Sequence, residues 1–140
     1  MAIPSHLTLE IVTPDRSVLH ERVDEVEIPG EDGYFGVLPG HTPLLASLQV
    51  GVLWYRKGIE KSYLSIAFGF AEVLPDRVTI LARICERAEE IDVGRAEAER
   101  RRAEEQLARA RADVDMDRAR ASLMKAMVRL QVASRARTRS

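Results

Sequence analysis

Hydrophobic and polar residues alternate at the start of the chain. Leu7, Leu9 and Ile11 take every second position, with Thr8 and Glu10 between them, which is the period of a strand with one buried face. Val18-Leu19 predicts a short second strand. Val23, Val26 and Ile28 predict a third, ending at the turn signal Pro29-Gly30-Glu31-Asp32-Gly33. Further strands are predicted over Tyr34–Leu38, Leu44–Gln49, Gly51–Tyr55, Ile59–Ala67, Phe70–Leu74 and Val78–Ile84, with turns at Pro39-Gly40-His41, Arg56-Lys57-Gly58 and Pro75-Asp76. Many short strands separated by such turns predict an antiparallel β-sandwich or flattened barrel.

Beyond residue 90 the period lengthens. Ala96, Ala103, Leu107, Ala110 and Val114 form a narrow apolar stripe at helical spacing. Asp92 stands where a carboxylate caps free backbone N–H groups at a helix start. Glu97–Arg101 and Glu105–Arg109 are spaced for i,i+4 pairing in the favourable order. Asp113 and Asp115 offer a second N-cap, and a second stripe runs through Ala119, Leu123, Ala126, Leu130 and Ala133. Small residues in both stripes let two helices lie close, so an antiparallel hairpin is expected. The fold class is therefore α+β, with a sandwich over residues 1–88 and a helical hairpin over 89–140.

The connection Ala112-Asp113-Val114-Asp115 contains neither Gly nor Pro, so a helix can run straight through it. Alanine stripes also bury little apolar area, so the hairpin should be weakly held. Two readings follow: a bistable element, or a static hairpin packed on the β domain.

Composition supports the division. All six prolines, all seven aromatics and seven of the eight glycines precede residue 91, while the last fifty residues hold eleven alanines. Net charge is −1, but residues 1–90 carry 8 basic and 14 acidic side chains, and residues 91–140 carry 13 and 8. From Arg118 onward there are seven cations (Arg118, Arg120, Lys125, Arg129, Arg135, Arg137 and Arg139) and no acid. That asymmetry predicts an acidic partner for the tail, or a solvated helix face. No run approaches the roughly 20 apolar residues of a membrane span. Met1-Ala2-Ile3-Pro4 has no basic or apolar signal region, so no secretory signal is expected. Cys85, a single thiol, fits a reducing compartment.

Catalytic patterns are sparse. His6, His20 and His41 lack metal-binding spacing, Cys85 has no thiol motif, and no glycine-rich phosphate loop occurs. An enzyme is the weaker expectation. The hairpin offers a different chemistry. Arg95 and Arg102 share a face of the first helix, as Lys125 and Arg129 do on the second. Folding about residue 114 sets Arg102 opposite Ala126 and gathers these cations near the helix start at Asp92. Either they repel one another until a polyanion binds, or they pair with Glu99, Glu104 or Asp92.

With the loop Pro39-Gly40-His41-Thr42-Pro43-Leu44-Leu45, these residues resemble the epsilon-subunit family of bacterial rotary (F-type) ATP synthases. The resemblance covers essentially the whole chain. It is carried by the ordered set His6–Pro14, Gly36–His41, Ile91-Asp92-Val93-Gly94-Arg95-Ala96, Asp113-Val114-Asp115 and Lys125–Leu130. It implies a sandwich that joins the gamma subunit in the central stalk and sits on the c-ring. It also implies a two-state helical pair: folded, it permits ATP hydrolysis; extended, it blocks hydrolysis by contacting an acidic segment of the beta subunit, within reach of alpha. The partner-binding residues expected are Arg118, Arg120, Lys125, Arg129 and Arg135 on the second helix, with His41 and Tyr34 on the β domain.

In some members of that family the folded pair binds ATP through an Ile/Leu-Asp-x-x-Arg-Ala motif. Asp92 and Arg95 fill it here, Arg102 and Arg129 match further arginines, and Glu86 matches an acidic position upstream. Lys125 stands where such relatives carry Arg, which keeps the charge but loses bidentate phosphate contact. Gly94 is a weak helix former so early in a helix. The resemblance thus implies a non-catalytic subunit that needs no cofactor, takes ATP as a regulatory ligand, binds no nucleic acid, and meets the cytoplasmic face of the cell membrane through its complex. The alternatives are a stand-alone ATP-sensing module and a small β-domain enzyme with an oligomerising tail. A stalk subunit should expose an apolar patch on its β domain, whereas a free sensor should not.

Overall fold

Strand β1 (Leu7–Val12) buries Leu7, Leu9 and Ile11 completely in a computed structural model that describes residues 2–138, with side chains through Ala136. β2 (Ser17–Val23) pairs antiparallel with β1, and β8 (Arg77–Arg87) pairs with it in parallel. β8 neighbours β7 (Glu60–Leu74), whose second half, Gly69–Val73, pairs with β5 (Leu44–Leu48). The first half of β7 instead pairs with β6 (Gly51–Lys57), which pairs with β3 (Glu25–Gly30), itself joined to β4 (Gly33–Val37). One long strand thus serves two layers, and the expected sandwich is the fold.

The transfer occurs at Phe68-Gly69, where both residues take positive φ (63° and 127°). Ile59–Ala67 and Phe70–Leu74, expected as separate strands, are therefore one kinked strand. A Cβ on Gly69 would overlap the Leu81 carbonyl oxygen and come within 2.9 Å of Ala82 Cα, so β8 lies against bare backbone there. Two other boundaries also shift. Val23 closes β2 instead of opening β3. Pro29-Gly30 ends β3 instead of forming the turn, because Gly30 pairs with Gly33 across Glu31-Asp32. Proline suits that strand end, where its carbonyl accepts the Gln49 N–H at 3.0 Å.

The alternating faces close on a core that includes Ile28, Leu53, Leu64, Ile66, Val73 and Ile80, each no more than 1% exposed. Each such aliphatic side chain is worth about 1.5–3 kcal/mol on burial. Together they outweigh the alanine contacts of the hairpin.

The chain forms two compact units, Met1–Glu86 and Arg87–Ser140. The second opens with a 3₁₀ turn at Ala88–Glu90 that packs on α2. The Glu90 carboxylate accepts the Arg87 N–H at 3.0 Å. Helix α1 (Val93–Arg109) then packs along α2 (Asp113–Thr138). Ala96 and Ala103 are buried on α1, as are Ala119, Ala126 and Ala133 on α2, the stripes expected from spacing. Val128 and Val132 are buried beside them, outside the predicted stripe.

The turn falls earlier than expected. α1 stops at Arg109 because Ala110 is extended (φ −66°, ψ 135°), so the link is Ala110–Ala112. The helical phase restarts there, and Val114 is exposed rather than part of the first stripe. Asp113 and Asp115 lie inside the first turn of α2, facing its positive dipole end, while Ala112 takes the capping position and its carbonyl accepts the Met116 N–H. Among the described residues the α1 ion pairs are Arg95–Glu99 and Arg100–Glu104, not Glu97–Arg101 or Glu105–Arg109. No helix among them is long and apolar enough to cross a membrane.

Candidate functional site: a charged helical hairpin and an apolar sheet face

Asp92 is extended (φ −81°, ψ 102°), and its Oδ1 accepts the Arg95 N–H at 3.1 Å, the cap its position predicted. That bond starts α1 in the phase that sends Arg95 toward Glu99 one turn on. Arg95 Nε donates to Glu99 Oε1 at 3.0 Å, and Arg129 Nη1 donates to Glu99 Oε2 at 3.2 Å from the facing helix. Two of the predicted cations thus meet on one carboxylate. The Arg95 side chain remains 74% exposed, whereas that of Arg129 is only 15% exposed.

The other expected cations are arranged less tightly. Arg102 is exposed, three positions beyond Glu99 on α1. Lys125 is half-buried and partnered, one turn before Arg129 on α2. Glu86 lies half-buried near the end of β8, in the first unit. Of the two readings of the cation cluster, pairing describes Arg95 and Arg129, and Glu99 is the residue that carries it. The Arg95–Glu99 pair is not among the expected i,i+4 pairs, although its spacing of four is visible in the sequence; the Arg129 pair depends on the register between the helices.

Of the four expected cations, Arg95 and Arg129 meet on Glu99, while Arg102 is exposed and Lys125 is partnered. Arginine side chains of this kind can hydrogen-bond a phosphate-bearing anion. Along the rest of α2, Arg118, Arg120 and Arg135 are exposed, and Arg120 lies 3.5 Å from Asp117. Arg129 instead turns into the hairpin, so it is not presented outward with them. The Arg137 side chain and Arg139 lie outside the described residues.

On the sandwich, Phe70 and Leu81 stand on the outer face of the β5–β7–β8–β1 layer, 55% and 54% exposed. They line an open groove of about 630 Å³ with Val12, Phe68 and Leu48. Leu45, on the neighbouring strand, is 73% exposed. Large apolar groups gathered so on one sheet face form a surface suited to a protein partner.

The two expected contact residues of the sandwich each also serve the fold. The Tyr34 hydroxyl accepts the Val52 N–H at 3.0 Å and lies on Gly51, which fixes β4 to the start of β6, yet half the residue stays exposed. His41 donates from Nδ1 to the Thr42 carbonyl at 2.6 Å, and its N–H bonds Leu38 O. The preceding Gly40, at φ +88°, donates to Pro75 O at 2.7 Å. The half-buried imidazole is thus held in a fixed turn, with exposed Leu38, Leu44 and Leu45 close to it in sequence.

Two groups elsewhere on the sandwich have shifted pKa values. The Gly58 N–H, then His6 and Arg56, hold the Asp24 carboxyl below its usual range, against desolvation. The Glu21 carboxylate raises the Lys57 ammonium. Among the described residues, no three His, Cys, Asp or Glu side chains are grouped to hold a metal ion, and Cys85 is buried.

Residues 6–88 match the family model of the ATP synthase delta/epsilon chain β-sandwich domain, and residues 89–134 match that of the delta/epsilon chain long α-helix domain. The ATP synthase epsilon chain of Syntrophobacter fumaroxidans is 52% identical over 129 residues, 92% of this chain and 96% of that one. Epsilon chain 2 of Syntrophotalea carbinolica is 50% identical over 130 residues, 92% and 94% of the two chains. Among solved structures, a chain of the Euglena gracilis mitochondrial ATP synthase superposes with a TM-score of 0.80 at 24% identity, over 97% of this chain and 84% of that one, a likeness of fold. With both halves matched in order and relatives at about half identity along nearly the whole length, the chain belongs to the ATP synthase delta/epsilon chain family.

Proposed function

We propose that this chain is a non-catalytic subunit of the central stalk of a proton-translocating ATP synthase. Its sandwich, residues 1–88, docks on the gamma subunit and the c-ring. Its hairpin, residues 89–140, restrains ATP hydrolysis when it opens toward the beta and alpha subunits. The complex places it peripherally, at the cytoplasmic face of the bacterial cell membrane. The observation that carries the reading is the apolar face around Phe70, Leu81 and Leu45, which a stalk subunit needs and a free nucleotide sensor does not. The epsilon-chain relatives support it from sequence.

The hairpin is folded in this structure, and its alanine seam fits an element that opens at modest cost. The exposed Arg118, Arg120 and Arg135 on α2 suit an acidic partner surface. The meeting of Arg95 and Arg129 on the hairpin, one turn from the Asp92 cap, suits a phosphate group of ATP as a ligand of the folded state.

Two measurements test this. Deleting the residues after Glu90 and assembling the shortened subunit into the synthase should raise ATP hydrolysis; an unchanged rate would remove the inhibitory role. ATP should also raise the melting midpoint of the isolated chain, by the equivalent of about 2.7 kcal/mol at a hundredfold excess over its dissociation constant. No shift at millimolar ATP would remove the nucleotide reading and leave the stalk reading intact.

A further inference from the structure

Glu99 occupies an unusual position for a helix-surface carboxylate. Its two oxygens are divided between two arginines, Arg95 on its own helix and Arg129 on the other. The intrahelical pair runs Arg then Glu, the weaker order for an i,i+4 pair, and Arg95 is largely exposed, so it adds little restraint. Arg129 is different. Its guanidinium is largely removed from water, and a cation so placed needs an anion beside it. The hairpin supplies that anion from within, thirty residues away in sequence.

We propose that Glu99 is a built-in latch: its carboxylate stands where a phosphate group would otherwise meet Arg95 and Arg129, holds α1 to α2 without a ligand, and competes with an incoming polyphosphate. The latch half rests on the observed geometry alone. The competition half rests on the reading of the hairpin as a nucleotide site. Competition follows from charge and space. Glu99 is about one-third exposed, so it can turn to solvent and release both arginines, but a polyphosphate must first replace those bonds. Until it does, Arg95 and Arg129 are already engaged by the one carboxylate. The same carboxylate that keeps the empty hairpin closed therefore lowers its affinity for ATP.

The test uses the full chain and two readouts. In amide hydrogen exchange without nucleotide, Glu99→Gln should speed opening of α1 and α2 by about fivefold, the scale of one partly buried ion pair. Arg129→Gln should do the same. The double variant should open more slowly than the two single effects combined would give, because both singles remove the shared Glu99–Arg129 pair. Unchanged exchange in Glu99→Gln, or effects that simply add, would overturn the latch. In calorimetric titration with ATP, Glu99→Gln should bind about five- to tenfold tighter than the parent chain, because a carboxylate no longer faces the phosphates. Equal or weaker binding by the variant would overturn the competition. If neither protein binds ATP, the nucleotide reading and the competition fall together, and the exchange result alone decides the latch.

Discussion

Arg129 of α2 reaches Glu99 of α1 across the hairpin at 3.2 Å, an ion pair that ties the two helices to each other. Arg95, which shares that carboxylate, makes a slightly shorter contact of 3.0 Å, yet the two arginines should differ in weight. A surface pair contributes about 0–1 kcal/mol, whereas a charge-assisted bond to a largely buried guanidinium contributes about 1.5–3 kcal/mol. Arg95→Ala is therefore expected to change hairpin stability by less than about 0.5 kcal/mol, and Arg129→Ala to lower it by about 1–2 kcal/mol. Protection of the α1 amides against hydrogen exchange measures both. Equal effects would mean that burial does not set the strength of these pairs.

Asp92 closes the open end of α1. Removing its carboxylate leaves the Arg95 N–H without its cap. Asp92→Ala should cost about 1 kcal/mol of helix stability, and Asp92→Asn, which still offers an oxygen, much less. The loss should appear as faster exchange confined to the first turns of α1. Slowed or unchanged exchange there would contradict the capping role.

Much of this architecture is legible in the residues themselves, for local reasons. Leu7, Leu9 and Ile11 declare their strand by strict alternation, and Asp92 announces a helix start by chemistry that acts within three residues. What stays hidden depends on distant contacts. Ala110-Arg111-Ala112 contains excellent helix formers, so nothing in it marks the turn; the break shows only in the packed hairpin. Phe68-Gly69 reads as a gap between strands, because a lone glycine does not reveal that β8 passes against its backbone. The pairing of Glu99 with Arg129 needs the helix register to a residue, and a turn misplaced by a few positions is enough to obscure it.

Two glycines should respond to alanine with opposite signs. Gly69 has φ +127°, and a Cβ there would overlap the Leu81 carbonyl, so Gly69→Ala should destabilise the sandwich by about 3 kcal/mol or more. Gly94 lies in the first turn of α1, where the nearest atom to an added Cβ is Asp92 Oδ1 at 3.6 Å, ordinary contact distance. Gly94→Ala should stabilise the hairpin by about 0.5–1 kcal/mol by restricting the unfolded chain. Denaturant unfolding followed separately at Trp54, in the sandwich, and by helical dichroism distinguishes the two.

Asp24 gives the sandwich an acid-sensitive clasp. Its Oδ2 accepts the Gly58 N–H at 2.7 Å, and its Oδ1 lies 3.4 Å from His6 Nδ1, so the β2–β3 corner is tied to the β6–β7 turn by one carboxylate. These partners hold the Asp24 carboxyl below its usual range, with the Gly58 N–H the largest cause. A carboxyl whose pKa is lower folded than unfolded contributes stability that is fully present above the unfolded value. That contribution disappears as pH falls from the unfolded value through the folded one. Asp24→Asn, which cannot ionise, lacks this contribution at every pH. The melting midpoint of the parent chain should therefore exceed that of the variant at neutral pH, and the gap should close as the solution is acidified through the usual carboxylate range and below it. A gap independent of pH would place the clasp's strength in neutral hydrogen bonding instead of the ionised carboxylate.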